Sequence, residues 1–337
     1  MSTVADPPAA RDTLIPGQRA GGAARVGPTL MTFGVLATFV ICFAVFAIAE
    51  SSVFLTGSNM AGIANVAAID ALIAVGVTVP LIMRDFDLSV AAAASLGSAL
   101  VVVLISENAW NLWAAITVVL MIGALIGLVN GVIVARLGAS SFIATLAMGS
   151  VLTGVQYLLT DQKTVVGNLP LAFTDLGGVL AVGLVVPVFA AVAVAGVVAV
   201  ALTQTAFGRY VHAIGSNPEA AAIVGLRVTR VRILGFVVAG MCAVLAGVFI
   251  STVSGNSFPD AGQSHLLPAF AAAFLGATLF PSRRFSALGA AGAAWLLQMI
   301  ATGLVDLNLA SWTINVFNGV VLIAAILTAR RTLGRAA

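Results

Sequence analysis

Charge is what this sequence has least of. Aspartate, glutamate, lysine and arginine together make 8% of its 337 residues, against about a quarter in an ordinary soluble domain. Hydrophobic residues make 61%, and the mean hydropathy is +1.14. So few polar side chains could not cover a water-soluble fold, which excludes a soluble enzyme, a nucleic-acid-binding domain and a disordered chain. Lysine occurs once, at Lys163. A P-loop needs Gly-x-x-x-x-Gly-Lys-[Ser/Thr] with its lysine on the phosphates, and Asp161-Gln162-Lys163-Thr164 lies in no such loop. The two histidines, His212 and His265, fit no His-Glu-x-x-His zinc motif, and no Gly-x-Ser-x-Gly elbow occurs. The two cysteines, Cys42 and Cys242, lie inside apolar runs and read as small hydrophobes rather than a disulfide or metal site. No catalytic, cofactor-binding or metal-ligating residue is expected, and transport is the default function.

What the chain does have is long apolar runs. They are continuous rather than alternating, which speaks against a β-barrel and for helices of about 20 residues each. The runs 30–49, 62–82, 88–106, 112–135, 140–160, 179–202, 233–253, 265–280, 286–304 and 311–328 predict an all-α polytopic transmembrane bundle of about ten spans. The eighth run is short and has Pro268 near its start, so a broken or re-entrant helix is expected there. Residues 1–28 are read as a disordered cytoplasmic tail, 29–329 as the transmembrane domain and 330–337 as a cytoplasmic C-terminal tail. With the N-terminus inside and sides alternating, 14 arginines fall inside and only Lys163 outside, the expected positive-inside bias. The pI of about 9.4 is thus explained by the bilayer as partner, with no nucleic acid. An equivalence of spans 2–5 with 7–10 would make inverted repeats, common in transport proteins.

The longest inside segment, 203–232, carries the most informative pattern. Asn217 suits a helix N-cap, Pro218 the first helical position and Glu219 the first turn. Ala220, Ala221 and Ala222 continue a short slim helix that Gly225 can end. Such a capped helix reads either as a docking element or as a surface helix joining two spans. A bulky residue at Ala221 is expected to leave the helix intact and clash only with a partner. In Asp87-Leu88-Ser89, Asp87 or Ser89 either accepts amide hydrogens at the start of span 3 or sets a gate near a pathway. Arg84 and Asp85 read as an exposed ion pair of little consequence. Asp70, near the middle of span 2, must be paired or hydrated at that depth and should face the bundle or a dimer axis. It leaves a proton- or ion-coupled secondary transporter as the alternative to a subunit of a larger machine. Gly123, Gly127 and Gly131 recur every four residues and should admit a close helix. Asn256, Phe258 and Gln263 lie in an outside connection, where Asn256 and Phe258 could touch cargo, and Trp110, Trp113 and Trp312 fit an interfacial belt.

The loop motif Phe207-Gly208-Arg209-Tyr210, Ala213-Ile214-Gly215-Ser216-Asn217, Glu219-Ala220-Ala221 and Gly225-Leu226 resembles the cytoplasmic loop of ABC importer permeases of the ribose/monosaccharide type. Asp85-Phe86-Asp87-Leu88-Ser89-Val90 is similar to that family's Gly-Ile-Asp-Leu-Ser-Val. Asn130-Gly131 followed by Phe142-Ile143-Ala144-Thr145-Leu146, and then Gly240, Ala246-Gly247, Pro259, Ala261-Gly262 and Leu275-Gly276, follow in the same order. Two stretches depart from it: Leu266-Leu267-Pro268 stands for Glu-Leu-Asp, and Pro281-Ser282-Arg283-Arg284 for a glycine-rich turn, and both bear on the identity of the sugar. The resemblance implies a bacterial plasma-membrane protein with both termini cytoplasmic and a second permease copy or homologue beside it. It implies partner ABC ATPase subunits that hold ATP and Mg, and a periplasmic or lipid-anchored sugar-binding protein. It also implies an ATPase-docking helix drawn from Gly215, Asn217, Pro218, Glu219, Ala220, Ala221 and Gly225. The candidate translocation path is Asp70, Asp87, Ser89, Asn256 and Phe258.

Overall fold

A computed structural model describes residues 28–178, 185–279, 284–310 and 312–333. The expected N-terminal tail, up to residue 27, and the Pro281–Arg283 part of the departing turn lie outside those residues. The described residues form fourteen α-helices. In order they are α1 (Pro28–Ala49), α2 (Ser51–Phe54), α3 (Gly57–Ile82), α4 (Val90–Ser106), α5 (Leu112–Ala135), α6 (Ser141–Thr160), α7 (Leu171–Thr174), α8 (Val186–Gln204), α9 (Ala206–Ser216), α10 (Pro218–Ile223), α11 (Val228–Ser254), α12 (Leu266–Leu279), α13 (Ala287–Asp306) and α14 (Trp312–Leu333). Strand pairing among them is limited to one antiparallel bridge, Val165 with Ser257.

The ten long helices coincide with the ten apolar runs. Six of them, α3, α5, α6, α8, α11 and α13, are long and apolar enough to cross a membrane. Helix α12 has 14 residues, about 21 Å of rise against a hydrocarbon core of about 30 Å. It starts after a 3-10 turn at Gln263–His265, which gives the eighth run its shortness. Helix α14 continues to Leu333, past the expected start of the C-terminal tail.

Two helices form the centre. Helix α3 is almost wholly buried and α11 largely so, as their apolar residues all round require. They pack against each other, and each also leans on the other half of the chain. Helix α3 lies against α12 and α13, whereas α11 lies against α4 and α5. Helices α4 with α6 and α12 with α14 pack within their own halves. Gly123, Gly127 and Gly131 of α5 face α11, as their spacing predicts. A β-carbon on Gly127 would stand 2.2 Å from the Phe236 carbonyl oxygen, so only glycine permits this approach.

Among the described residues, contacts between connections gather at two ends. At one end the turn at 83–89 meets Ser216, Ser141 and Arg232. At the other, Tyr157 meets Asp260, Val165 meets Ser257, Asn65 meets Gly177 and Asn59 meets Asp306. The first end holds Arg84, Arg136, Arg209, Arg227, Arg230, Arg232 and Arg284; the second holds Lys163 as its basic residue among the described ones.

Candidate functional site

At the arginine-rich end, α9 is followed by α10 with one residue between them. Asn217 has extended backbone (φ −154°, ψ 104°) and its Oδ1 accepts from the Ala220 N–H at 2.8 Å. Pro218 is the first helical residue and Glu219 lies in the first turn. The helix ends at Gly225, where φ is +85°, and the Leu226 N–H closes back on the Ala221 carbonyl. The capped helix is therefore as the sequence predicts, with two corrections. Gly215 lies in α9, where a β-carbon would be 2.0 Å from the Ile82 carbonyl oxygen; it seats α9 on α3 and is no part of the exposed element. Ala221 is 4% exposed and packs with Val211, Ile214 and Val231 of the same chain. It anchors α10 inward, so a bulky residue there would overpack the permease itself rather than test a partner. The exposed face is formed by Glu219, Ala220 and Ala222, together with Ile223 and Val224, which are 86% and 75% exposed. These two large apolar side chains are exposed on a short, polar-capped element, and neither was singled out from sequence. Beside it, Tyr210, Arg227 and Arg230 frame a cleft of about 460 Å3.

The turn between α3 and α4 lies at the same end. Helix α3 closes with a Schellman pattern: the Asp85 N–H reaches the Pro80 carbonyl at 3.0 Å and the Arg84 N–H that of Leu81 at 3.0 Å. Arg84 supplies the left-handed residue (φ +65°), a position usually given to glycine. Asp85 does not pair with Arg84. Its carboxylate takes both arms of Arg232, at 2.8 and 2.7 Å, from the start of α11. Asp87 Oδ1 accepts from the Ser89 amide at 3.1 Å and the Ser89 hydroxyl at 2.6 Å, so the helix-start reading describes what is seen. The Asn130 side-chain amide of α5 donates to Ser89 Oγ at 2.8 Å, and the Leu88 N–H donates to Thr145 of α6 at 3.0 Å. Asp87 Oδ2 and Asn130 Oδ1 are buried with no hydrogen-bond partner among the described residues.

Asp70 lies elsewhere, at the middle of α3, and is 2% exposed. It faces the bundle, as its cost in a membrane demands. Its Oδ1 stands 2.6 Å from Nδ1 of His265, in the turn before α12. The two residues line a cavity of about 320 Å3 between α3, α12, α13 and α14. The alternation of sides could have found this partner, since it places His265 near the outer half of span 2. Asn256 hydrogen-bonds within its own turn, to the Ser254 carbonyl at 3.1 Å. Phe258 is exposed, with its carbonyl held by Gln156 at 3.4 Å. The five residues expected to share a path thus occupy three places: the cavity, the turn between α3 and α4, and the loop after α11.

A family profile described as "branched-chain amino acid transport system / permease component" matches residues 59–326. This chain belongs to that permease family. The permease is 30% identical over 278 residues to the ribose import permease protein of Haemophilus influenzae, covering 81% of this chain and 85% of the relative. It is 32% identical to the ribose import permease protein of Bacillus subtilis, covering 82% and 86%. It is 30% identical to the L-arabinose transport system permease protein of Escherichia coli, covering 88% and 89%. No solved structure matches.

Proposed function

We propose that this permease is the membrane subunit of an ATP-driven importer for a monosaccharide or similar small polyol, delivered by an external binding protein. The observation that carries the reading is α10. It is a capped helix rooted by Ala221 and tipped by Ile223 and Val224, at the arginine-rich end. That end is the cytoplasmic one by the positive-inside rule, which puts α10 where a cytoplasmic ATPase can seat it. ATP and Mg belong to that partner, and hydrolysis there would be felt through α10 by α9 and α11, and through Arg232 by the turn at Asp85. A second permease copy or homologue completes the assembly, in the plasma membrane of a bacterium with both termini inside. Similarity to ribose and L-arabinose permeases supports the cargo class. The alternative, a carrier driven by ions at Asp70, has less support, because the chain matches the permease component of multi-component transport systems.

Cross-linking tests the docking. With Ile223→Cys in a background lacking Cys42 and Cys242, a short bifunctional reagent should join the permease to its ATPase in native membranes. The same experiment with Lys163→Cys should give no such product. Capture of the ATPase by Lys163→Cys and not by Ile223→Cys would reverse the orientation and sink the docking assignment.

A further inference from the structure

The cavity beside Asp70 has a chemistry of its own. Polar groups reach it from four elements: Asp70 of α3, His265 before α12, Gln298 and Thr302 of α13, and Asn318 of α14. Asp70 and His265 spend one atom each on one another at 2.6 Å, which leaves Asp70 Oδ2 and His265 Nε2 without a hydrogen bond from the described residues. Gln298 donates one N–H to Thr302 Oγ1 at 3.0 Å and keeps its carbonyl. Asn318 is 8% exposed, and its amide has no partner among the described residues. Apolar walls from Leu297 and Ile314 separate these groups.

We infer that this cavity is a binding subsite, within a single permease chain, for a small neutral polyhydroxylated molecule of the monosaccharide or polyol class. Hydroxyls that both donate and accept match the set of a carboxylate oxygen, an imidazole nitrogen, two amides and a threonine hydroxyl. Leu297 and Ile314 suit the C–H face of a sugar ring. The volume lies at the small end of the range of about 300–1,000 Å3 for small-molecule sites. A free amino acid would need a cation for its carboxylate, and no lysine or arginine lines the cavity. The cargo class rests on the importer reading, whereas binding to the permease alone does not.

The test uses the full-length permease in lipid nanodiscs, without partners, with Cys42→Ser, Cys242→Ala and a reporter Ser264→Cys at the exposed mouth of the cavity. A methanethiosulfonate reagent modifies the thiol in the presence of ribose, xylitol or L-leucine. Ribose or xylitol at about twice its dissociation constant should slow modification about threefold, because occupied sites outnumber free ones two to one. Modification of Lys163→Cys should stay unchanged. Adding Asn318→Leu, or Thr302→Val as a milder variant, should raise the ribose needed for half-protection by about tenfold. The inference is overturned if ribose and xylitol give no protection up to about 100 mM. It is also overturned if both variants leave the midpoint unmoved, or if leucine protects and the polyols do not. A permease that passes this test but fails ATP-driven uptake would refute the importer reading and leave the subsite standing.

Discussion

Breaking the pair between Asp85 and Arg232 should cost far more than the exposed contact expected of Asp85 from sequence. The Asp85 side chain is 6% exposed and that of Arg232 26%, and two hydrogen bonds of 2.8 and 2.7 Å join them. Removing one partner of a buried pair costs about 3–5 kcal/mol, because the other charge is left uncompensated. An exposed pair contributes about 0–1 kcal/mol. Arg232→Gln strands the buried carboxylate and should cost about 3 kcal/mol, near the lower bound because water reaches part of the site. Asp85→Asn leaves the better-exposed arginine unpaired and should cost about 2 kcal/mol. The double variant should cost at least about 1.5 kcal/mol less than the sum of the singles, since neither charge is then stranded. Reversible denaturation of the detergent-solubilised permease, followed by circular dichroism, gives the four values. A loss below about 0.5 kcal/mol for Arg232→Gln, or singles that simply add, would refute a buried charge pair at the α3–α4 turn.

Three further outcomes follow from particular contacts. Gly127→Ala should destabilise the bundle by about 1–3 kcal/mol, because its methyl must displace the Phe236 backbone; thermal unfolding reads this directly. Asn217→Ala should cost about 1 kcal/mol of α10 stability and speed hydrogen exchange at the Ala220 amide, with the transmembrane core unaffected. Ala221→Trp should lower the melting temperature of the isolated permease, since the site is packed within the chain; an unchanged melting temperature would mean that Ala221 faces outward after all.

The positions of the helices were legible because a membrane imposes its own arithmetic: each continuous apolar run coincides with a helix, and the one short run coincides with the one that starts late. The α10 cap was legible because Asn217, Pro218 and Glu219 act through local backbone geometry. Pairings across the chain were not. Asp85 has Arg84 next to it, but the left-handed backbone at Arg84 sends that side chain towards Ser216. Its real partner is 147 residues away, and only the packing of α11 against α3 brings it near. Ala221 read as a slim outward residue because alanine carries no sign of which way it faces. Ile223 and Val224 were passed over because apolar residues are unremarked in a sequence so rich in them. Asp70 announced that it needed a partner, but His265 is 195 residues away in sequence and was not named from it.

ATP-driven uptake in proteoliposomes tests the central claim most directly. The permease is reconstituted with its ATPase and its binding protein, loaded with the labelled sugar that protein holds. Uptake should require ATP inside the docking compartment and both partners. Ile223→Glu should abolish it while leaving the melting temperature of the permease and the sugar affinity of the binding protein unchanged. Uptake that a proton gradient drives without the ATPase, or ATP-driven uptake at the unmodified rate with Ile223→Glu, would contradict the account.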